Sequence, residues 1–167
     1  MLNIKNHDHD DHGIMMFDPG VEHLSWPLYH ALDLLCKEAK LPVNFIIPKG
    51  SFHVDEIYGH SVCYEHGCGV KPVETDMLRR LGQRGRQVGK HITYFRMGDR
   101  HHISRFNEDT LVVNGAFFGG DREGREYSGI MGYNSLPGQI CFFHVPRDDK
   151  DRLPMYDSFV IQLGHIK

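Results

Sequence analysis

Side chains that could do chemistry gather at three points of the sequence. The first is NHD at residues 6–8, which opens a longer polar tract. The second is His66, which lies just after the apolar run SVCY. The third is the pair Asp99 and His101 in MGDRHH, which follows the apolar run ITYF with only Arg96 between. Amide, imidazole and carboxylate groups together form a nitrogen and oxygen donor set that suits Mn, Fe, Zn or Mg.

Strands alternating with helices are needed to bring these clusters together. Helical periodicity predicts helices over residues 25–41 and 71–89, and the sequence predicts strands at 43–48, 52–59, 61–67, 91–98, 110–120, 138–146 and 157–165. Active sites of layered α/β folds form beyond the carboxyl ends of the strands, so His66 and Asp99 are expected to converge. Gly98 lets the chain turn sharply, and Asp99 and His101, two residues apart, are expected to face one cluster while His102 points away.

Length and composition indicate that residues 1–167 form one ordinary soluble domain or a large part of one. The chain has 40% hydrophobic and 25% charged residues, a formal net charge of −3, and 13 histidines. No apolar stretch approaches the roughly 20 residues that span a bilayer, and the N-terminal sequence is not that of a signal peptide. Four scattered cysteines predict reduced thiols and a cytoplasmic location.

Three short motifs carry a resemblance to a known family. KNHD at 5–8, EHG at 65–67 and GDRH at 98–101 resemble, in that order, the last three motifs of the calcineurin-like metallophosphoesterases. The segment 112–145, from VVNGAFFGG to GQICFFHV, is similar to the closing segment of the phage-type members. The first two motifs of the family, D-x-H and G-D-x-x-D, have no counterpart here. The resemblance therefore implies the C-terminal half of the layered metallophosphoesterase β-sandwich, flanked by helices.

The resemblance also implies a chemistry. In this family two cations about 4 Å apart hold a phosphate and lower the pKa of a water that attacks phosphorus. The implied ligands of one cation are Asn6, His66 and Asp99, and His101 would face the other cation. His7 would protonate the leaving oxygen or stabilise the transition state, while Asp8 orients its ring. The implied cofactor is a divalent metal, Mn²⁺ before Fe, Zn or Mg, and the implied substrate is a phosphate ester.

Two departures from the family and several alternatives bear on this interpretation. Lys5 stands where the family has glycine, and Asp99 stands where it has a metal-binding histidine. A carboxylate still binds hard cations, so the second change alters metal preference. Taken alone, the tract HDHDDH at 7–12 could be a solvated tail with adventitious metal affinity, and His66 or Asp99 could be a turn residue.

The absent motifs predict a phosphoesterase that is incomplete as a lone chain. We expect either a homo-oligomer or a partner chain that carries the missing N-terminal half, as in a split enzyme. The alternative from another class is a non-catalytic remnant that acts as a binding or structural module, for example in a virion. The corresponding location is the host cytoplasm or the virion if the chain is phage-encoded.

A basic segment between residues 79 and 105 bears on the substrate. It holds eight Lys or Arg residues against a single acid, Asp99. One interpretation is a solvated helix face, and the other is a surface that binds phosphates of a nucleotide or nucleic acid. No helix-turn-helix or aromatic RNA-binding pattern accompanies the basic residues, so sequence-specific recognition is not indicated.

Overall fold

The computed structural model describes residues 25–48, 50–117, 136–144 and 157–163. The chain divides into two units, residues 1–53 and 54–167, which are described separately. Helix α1, Ser25–Glu38, lies in the first unit, where the sequence predicts it. No helix within the described ranges is long and apolar enough to cross a membrane.

The strand predicted at residues 43–48 is wrong. This stretch is irregular, and Val43 and Ile46 remain exposed. Pro42 and Pro48 bracket the run, and neither has an N–H that could extend a ladder of strand hydrogen bonds. Within the described residues, this run pairs with no strand.

A five-stranded mixed sheet forms the centre of the second unit, and it confirms the α/β class. Its spatial order is β1-β2-β3-β5-β4. The strands are β1 (Phe52–Ile57), β2 (His60–Glu65), β3 (Tyr94–Met97), β4 (Ser104–Phe106) and β5 (Leu111–Val113). Strand β3 runs parallel to both β2 and β5, whereas β4 is antiparallel to β5.

The parallel strands are the most buried part of the sheet. Every residue of β3 and β5 is buried, including Phe95 and Leu111, which are opposite each other in the register. Central parallel strands are covered on both faces, which explains why they are almost continuously apolar rather than alternating. Their three carboxyl ends lie at the same edge of the sheet, and the residues that follow them are His66, Gly98 and Asn114.

Helix α2 (Glu74–Val88) connects β2 to β3 and packs against β3 and β5. Its buried residues include Met77, which lies in the core, and Arg84. Acidic residues in its first turn and Arg86 in its last turn suit the helix dipole. Gly89 ends the helix in the left-handed conformation, with φ of 68°.

Strand β4 was not predicted, and the turn after it is unusual. Asn107, Glu108 and Asp109 are three consecutive non-glycine residues with φ values of 54°, 51° and 62°. Left-handed backbone is unfavourable for such residues, and Asp109 is held by side-chain contacts. Arg105 donates hydrogen bonds to both oxygens of the buried Asp109 carboxylate, and the Ser158 hydroxyl donates a third at 2.5 Å.

Strands β6 (Gly138–Phe143) and β7 (Asp157–Gln162) form a separate antiparallel ribbon. Asn114, directly after β5, fixes the ribbon to the sheet. Its amide nitrogen donates to Gln139 Oε1 at 2.6 Å, and its amide oxygen accepts from the backbone N–H of Ile140 at 2.9 Å. Asn114 therefore connects the end of β5 to the ribbon.

Candidate functional site

The loops after β2 and β3 bring together two of the residues singled out in the sequence. His66 Nε2 lies 3.0 Å from Asp99 Oδ1, although the two residues are 33 positions apart. Both side chains are partly accessible, with 28% and 25% of their surface exposed. The backbone N–H of Gly98 donates to the His66 carbonyl at 2.9 Å, so the two loops are also joined through the main chain.

The backbone of both loops is unusual. Gly67 has a φ of 101°, and a Cβ at this position would lie 2.8 Å from Cε of Met97. Asp99 and His101 have φ values of 69° and 54°. Strained backbone of this kind is concentrated at functional sites, because the surrounding contacts must hold it there. Residues 99 and 101 are therefore left-handed rather than extended, and His102 Nδ1 lies 2.7 Å from the Arg100 carbonyl oxygen.

Positive charge surrounds the His66–Asp99 pair. Arg100 donates to the Val70 carbonyl through Nη2 and Nε, at 2.8 and 3.3 Å, and its Nε is 3.6 Å from Asp99 Oδ2. Arg80 donates to the Cys68 carbonyl at 3.3 Å. Burial, reinforced by the negative charge of Asp99, raises the pKa of the Cys68 thiol. Cys68 is therefore a protonated thiol at neutral pH, which is poorly suited to act as a nucleophile or thiolate ligand.

A buried ion pair between α2 and the last residue of β2 holds the end of this strand in place. Arg84 on α2 donates from Nε and Nη2 to the two carboxylate oxygens of Glu65, both at 2.8 Å. The Arg84 and Glu65 side chains are only 9% and 5% exposed. A third donor, Arg84 Nη1, reaches Gln87 at 2.9 Å. Because Glu65 directly precedes His66, the two hydrogen bonds from Arg84 fix the position of the backbone that carries His66.

The structure describes only one of the other predicted site residues. Asn6, His7 and Asp8 lie outside the described residues. His101 is half-buried in the same loop as Asp99. Within the described ranges, no group of three or more His, Cys, Asp or Glu residues could hold a metal ion.

The His66–Asp99 pair nevertheless has the chemistry and spacing of two neighbouring metal ligands. Two donors at right angles around an ion, each about 2.1 Å from it, lie about 3.0 Å apart. The observed separation of Nε2 and Oδ1 is 3.0 Å. In the absence of a metal, the contact is a hydrogen bond in which Nε2 of His66 carries the proton. A bound cation would take the place of that proton. The pair therefore fits two positions of a nitrogen and oxygen site.

The basic segment 79–105 is largely used in contacts within the chain. Six of its cations lie within ion-pair distance of a carboxylate: Arg79 with Asp76, Arg80 and Arg84 with Glu65, Lys90 with Glu56, Arg100 with Asp99, and Arg105 with Asp109. Arg96 is buried, and its guanidinium carbon lies 4.1 Å from the ring centre of Phe142. Of the six paired cations, Arg80 and Arg100 also donate to backbone carbonyls in the loop after β2.

From the sequence, Arg100 was noted only as a member of the basic segment 79–105, and Glu65 only as part of the motif EHG. The position of Arg100 between Asp99 and His101 was a usable signal of its role, whereas nothing in the sequence signalled the pairing of Glu65 with Arg84 across 19 residues.

Comparison with protein-family models, with curated proteins and with solved structures finds no match to this chain. The interpretation of the site depends on the residues and their geometry.

Proposed function

We propose that the chain is a metal-dependent phosphoesterase domain of the calcineurin-like type, in which His66 and Asp99 hold one divalent cation. The main support is the 3.0 Å approach of His66 Nε2 to Asp99 Oδ1. This approach occurs where parallel strands of one sheet end, the position at which layered α/β folds bind ligands. The finer fold assignment, the C-terminal half of a metallophosphoesterase sandwich, is part of the same proposal.

Each residue has a definite task in this proposal. His66 and Asp99 supply a nitrogen and an oxygen ligand, and Asn6 supplies a third through its amide oxygen. His101 faces a second cation, for which the described residues offer no further group of ligands. When bound, such cations neutralise phosphate charge and activate water. Mn²⁺ is the proposed metal, because a mixed set of amide, imidazole and carboxylate donors suits it.

His7 and Asp8 complete the proposed chemistry. The His7 ring donates a proton to the leaving oxygen of the ester, and Asp8 accepts a hydrogen bond that orients the ring. The proposed substrate is a phosphomonoester or phosphodiester, including nucleic acid. The four cysteines all lie in the described ranges and form no disulfide bond there, which supports a reducing location such as a host cytoplasm.

We also propose that hydrolysis requires the ligands of the family's first two motifs, D-x-H and G-D-x-x-D, which have no counterpart in this sequence. A partner chain would supply them. The chain alone is then expected to give little or no hydrolysis of bis-p-nitrophenyl phosphate with Mn²⁺, and activity that depends on His7 should appear when the partner is added. The second candidate is a non-catalytic binding or virion module, which is favoured by the presence of only one close His–Asp pair in the described ranges.

Mn²⁺ binding tests the proposed site directly. The free Mn²⁺ signal in electron paramagnetic resonance is titrated against the wild-type chain, His66→Ala and Asp99→Asn. Loss of one ligand is expected to weaken binding at least about tenfold, because outer-shell changes alone cost 10- to 100-fold. His91→Ala is the matched control, since His91 is exposed and lies outside the site. It should bind Mn²⁺ within about twofold of wild type.

A second control separates the site from the histidine-rich tract near the N-terminus. Replacing His9 and His12 removes adventitious ligands but retains Asn6, His7 and Asp8. The proposal predicts one site that survives this change and is lost in His66→Ala. Binding that disappears with His9 and His12, or that is indifferent to His66, would favour the non-catalytic module. Robust turnover by the lone chain that is abolished in His7→Ala would show that no partner is needed.

A further inference from the structure

Arg100 is the best-positioned cation of the candidate site. Its guanidinium is fixed by the Val70 carbonyl oxygen, which accepts from Nη2 at 2.8 Å and from Nε at 3.3 Å. The side chain is 26% exposed, so it is held in place and still accessible to a solute. The flanking residues Asp99 and His101 both have left-handed backbone, which sets the direction of the residue between them.

The donors of Arg100 are only partly used. A guanidinium carries five N–H donors, and the contacts of Arg100 within the described ranges involve Nε and Nη2 only. Nη1 therefore retains donors for a ligand. Arg80 differs, because its Nη2 donates to Cys68 and its Nη1 lies 3.7 Å from the Glu65 carboxylate.

The charge balance at this edge favours an anion. Three guanidinium groups, those of Arg80, Arg84 and Arg100, face the two carboxylates of Glu65 and Asp99. Among these described groups, one positive charge remains before any contribution from His66 or a cation. Arg84 and Glu65 neutralise each other in a buried pair, so the excess lies on the accessible side, next to Arg100.

We propose that Arg100 binds the phosphoryl group of the ligand, donating from Nη1 to a phosphate oxygen beside the His66–Asp99 pair. This assignment deepens the proposed function and rests on it for the identity of the ligand, but the anion site can be tested without metal. A guanidinium suits the task because its planar donors match phosphate oxygens. Arg100 is thus a substrate-binding residue that the Val70 carbonyl prepositions.

The test is a titration of metal-free protein with inorganic phosphate, followed by the side-chain Nε–H signals of arginine in proton–nitrogen correlation spectra. The Arg100 signal is identified by its disappearance in Arg100→Lys. It is expected to shift saturably in wild type, and Arg100→Gln is expected to weaken phosphate binding about 10- to 100-fold, the range for a charge-assisted hydrogen bond. A parallel titration with dimethyl phosphate distinguishes a monoester-like dianion from a diester.

Arg79→Gln is the matched control, because Arg79 lies on α2, is 63% exposed and lies 3.5 Å from Asp76. It should leave phosphate affinity within about twofold. Equal losses in both variants would mean a diffuse charge effect and would overturn the assignment, as would unchanged affinity in Arg100→Gln. If Arg100→Gln does not fold, Arg100→Lys decides. Lysine keeps the charge but loses the planar group, so wild-type affinity in that variant would also overturn the proposal.

Mn²⁺ titrations of the same variants separate this inference from the proposed function. Arg100→Gln should retain Mn²⁺ affinity within about threefold, because His66 and Asp99 are unchanged. If wild type binds phosphate through Arg100 but binds no Mn²⁺, the metal site fails and the anion site stands. If Mn²⁺ binds through His66 but Arg100 shows no response to either phosphate probe, only the assignment of Arg100 fails.

Discussion

Replacing Arg84 by methionine tests how the end of β2 is held beneath the candidate site. In the structure the Arg84 guanidinium donates two hydrogen bonds of 2.8 Å to the carboxylate of Glu65, and both side chains are more than nine-tenths buried. Methionine preserves most of the apolar stem and removes the charge. Glu65 is then left as a buried carboxylate with its main partner gone.

The expected loss of stability follows from that burial. Removing one member of a buried ion pair typically costs about 3–5 kcal/mol, because the remaining charge is uncompensated. Arg80 lies 3.7 Å from Glu65 Oε1 and can offset part of the loss. We therefore expect Arg84→Met to cost about 3 kcal/mol, a large part of the roughly 5–15 kcal/mol that stabilises a domain.

The assay is equilibrium unfolding in urea, followed by far-ultraviolet circular dichroism. Arg79→Met is the exposed control and should change the free energy of unfolding by less than about 0.5 kcal/mol. The double variant Glu65→Met/Arg84→Met removes both charges and should recover stability to within about 1 kcal/mol of wild type. Hydrogen exchange adds a local readout, since the Gly98 amide, which donates to the His66 carbonyl, should exchange faster in Arg84→Met.

The reasoning would be refuted by either of two results. One is a loss below about 1 kcal/mol in Arg84→Met, which would mean that water or Arg80 already satisfies Glu65. The other is a double variant no more stable than Arg84→Met, which would assign the effect to lost packing. A change in the denaturant slope would show that the unfolded or native state itself had changed.

Two further predictions concern pH and backbone. Hydrogen bonds from Arg105 hold the pKa of Asp109 below its ordinary value of 3.8. As the pH falls, the unfolded chain therefore binds this proton before the folded chain does. The stabilisation that the ionised Asp109 gives the fold is present above about pH 4 and is lost as the pH falls through the folded pKa. Asp109→Asn should therefore flatten the acid limb of a stability–pH curve and cost about 1–3 kcal/mol at neutral pH. Gly67→Ala should cost about 1–3 kcal/mol in urea unfolding, because of its φ of 101° and the crowding against Met97. At the helical Gly82 a Cβ would meet only the end of the Arg86 side chain, at an ordinary 3.7 Å, so Gly82→Ala should be neutral or stabilising by about 1 kcal/mol. Equal effects in the two variants would contradict the backbone argument.

The sequence predicts the elements whose pattern is local, and it fails where an element depends on a partner. Helix α2 and the central strands follow from periodicity and continuous apolar runs. Strand β4 has only three residues and exists because the edge of β5 offers hydrogen bonds, so no local pattern marks it. Residues 43–48 show the opposite error, since this apolar run pairs with no strand in the described part of the chain and is irregular.

In the candidate site, too, some features follow from local sequence patterns and others depend on distant partners. The convergence of His66 and Asp99 could be predicted, because it requires only that neighbouring strands end at one edge. The anchoring of Arg100 on the Val70 carbonyl could not be predicted, because it connects residues 30 positions apart through a backbone atom. Any residue type at position 70 offers the same carbonyl, so the amino-acid sequence carries no sign of this contact.

The left-handed turn at residues 107–109 has a consequence for the order in which the molecule assembles. Asp109 meets Arg105 only four residues away, so this contact can form together with the β4–β5 hairpin. Its other partner, Ser158, lies 49 residues further along the chain and must await the closure of a much longer loop. During synthesis, Ser158 therefore emerges well after the turn that it stabilises, and the edge of the sheet reaches its final stability only after β7 has arrived.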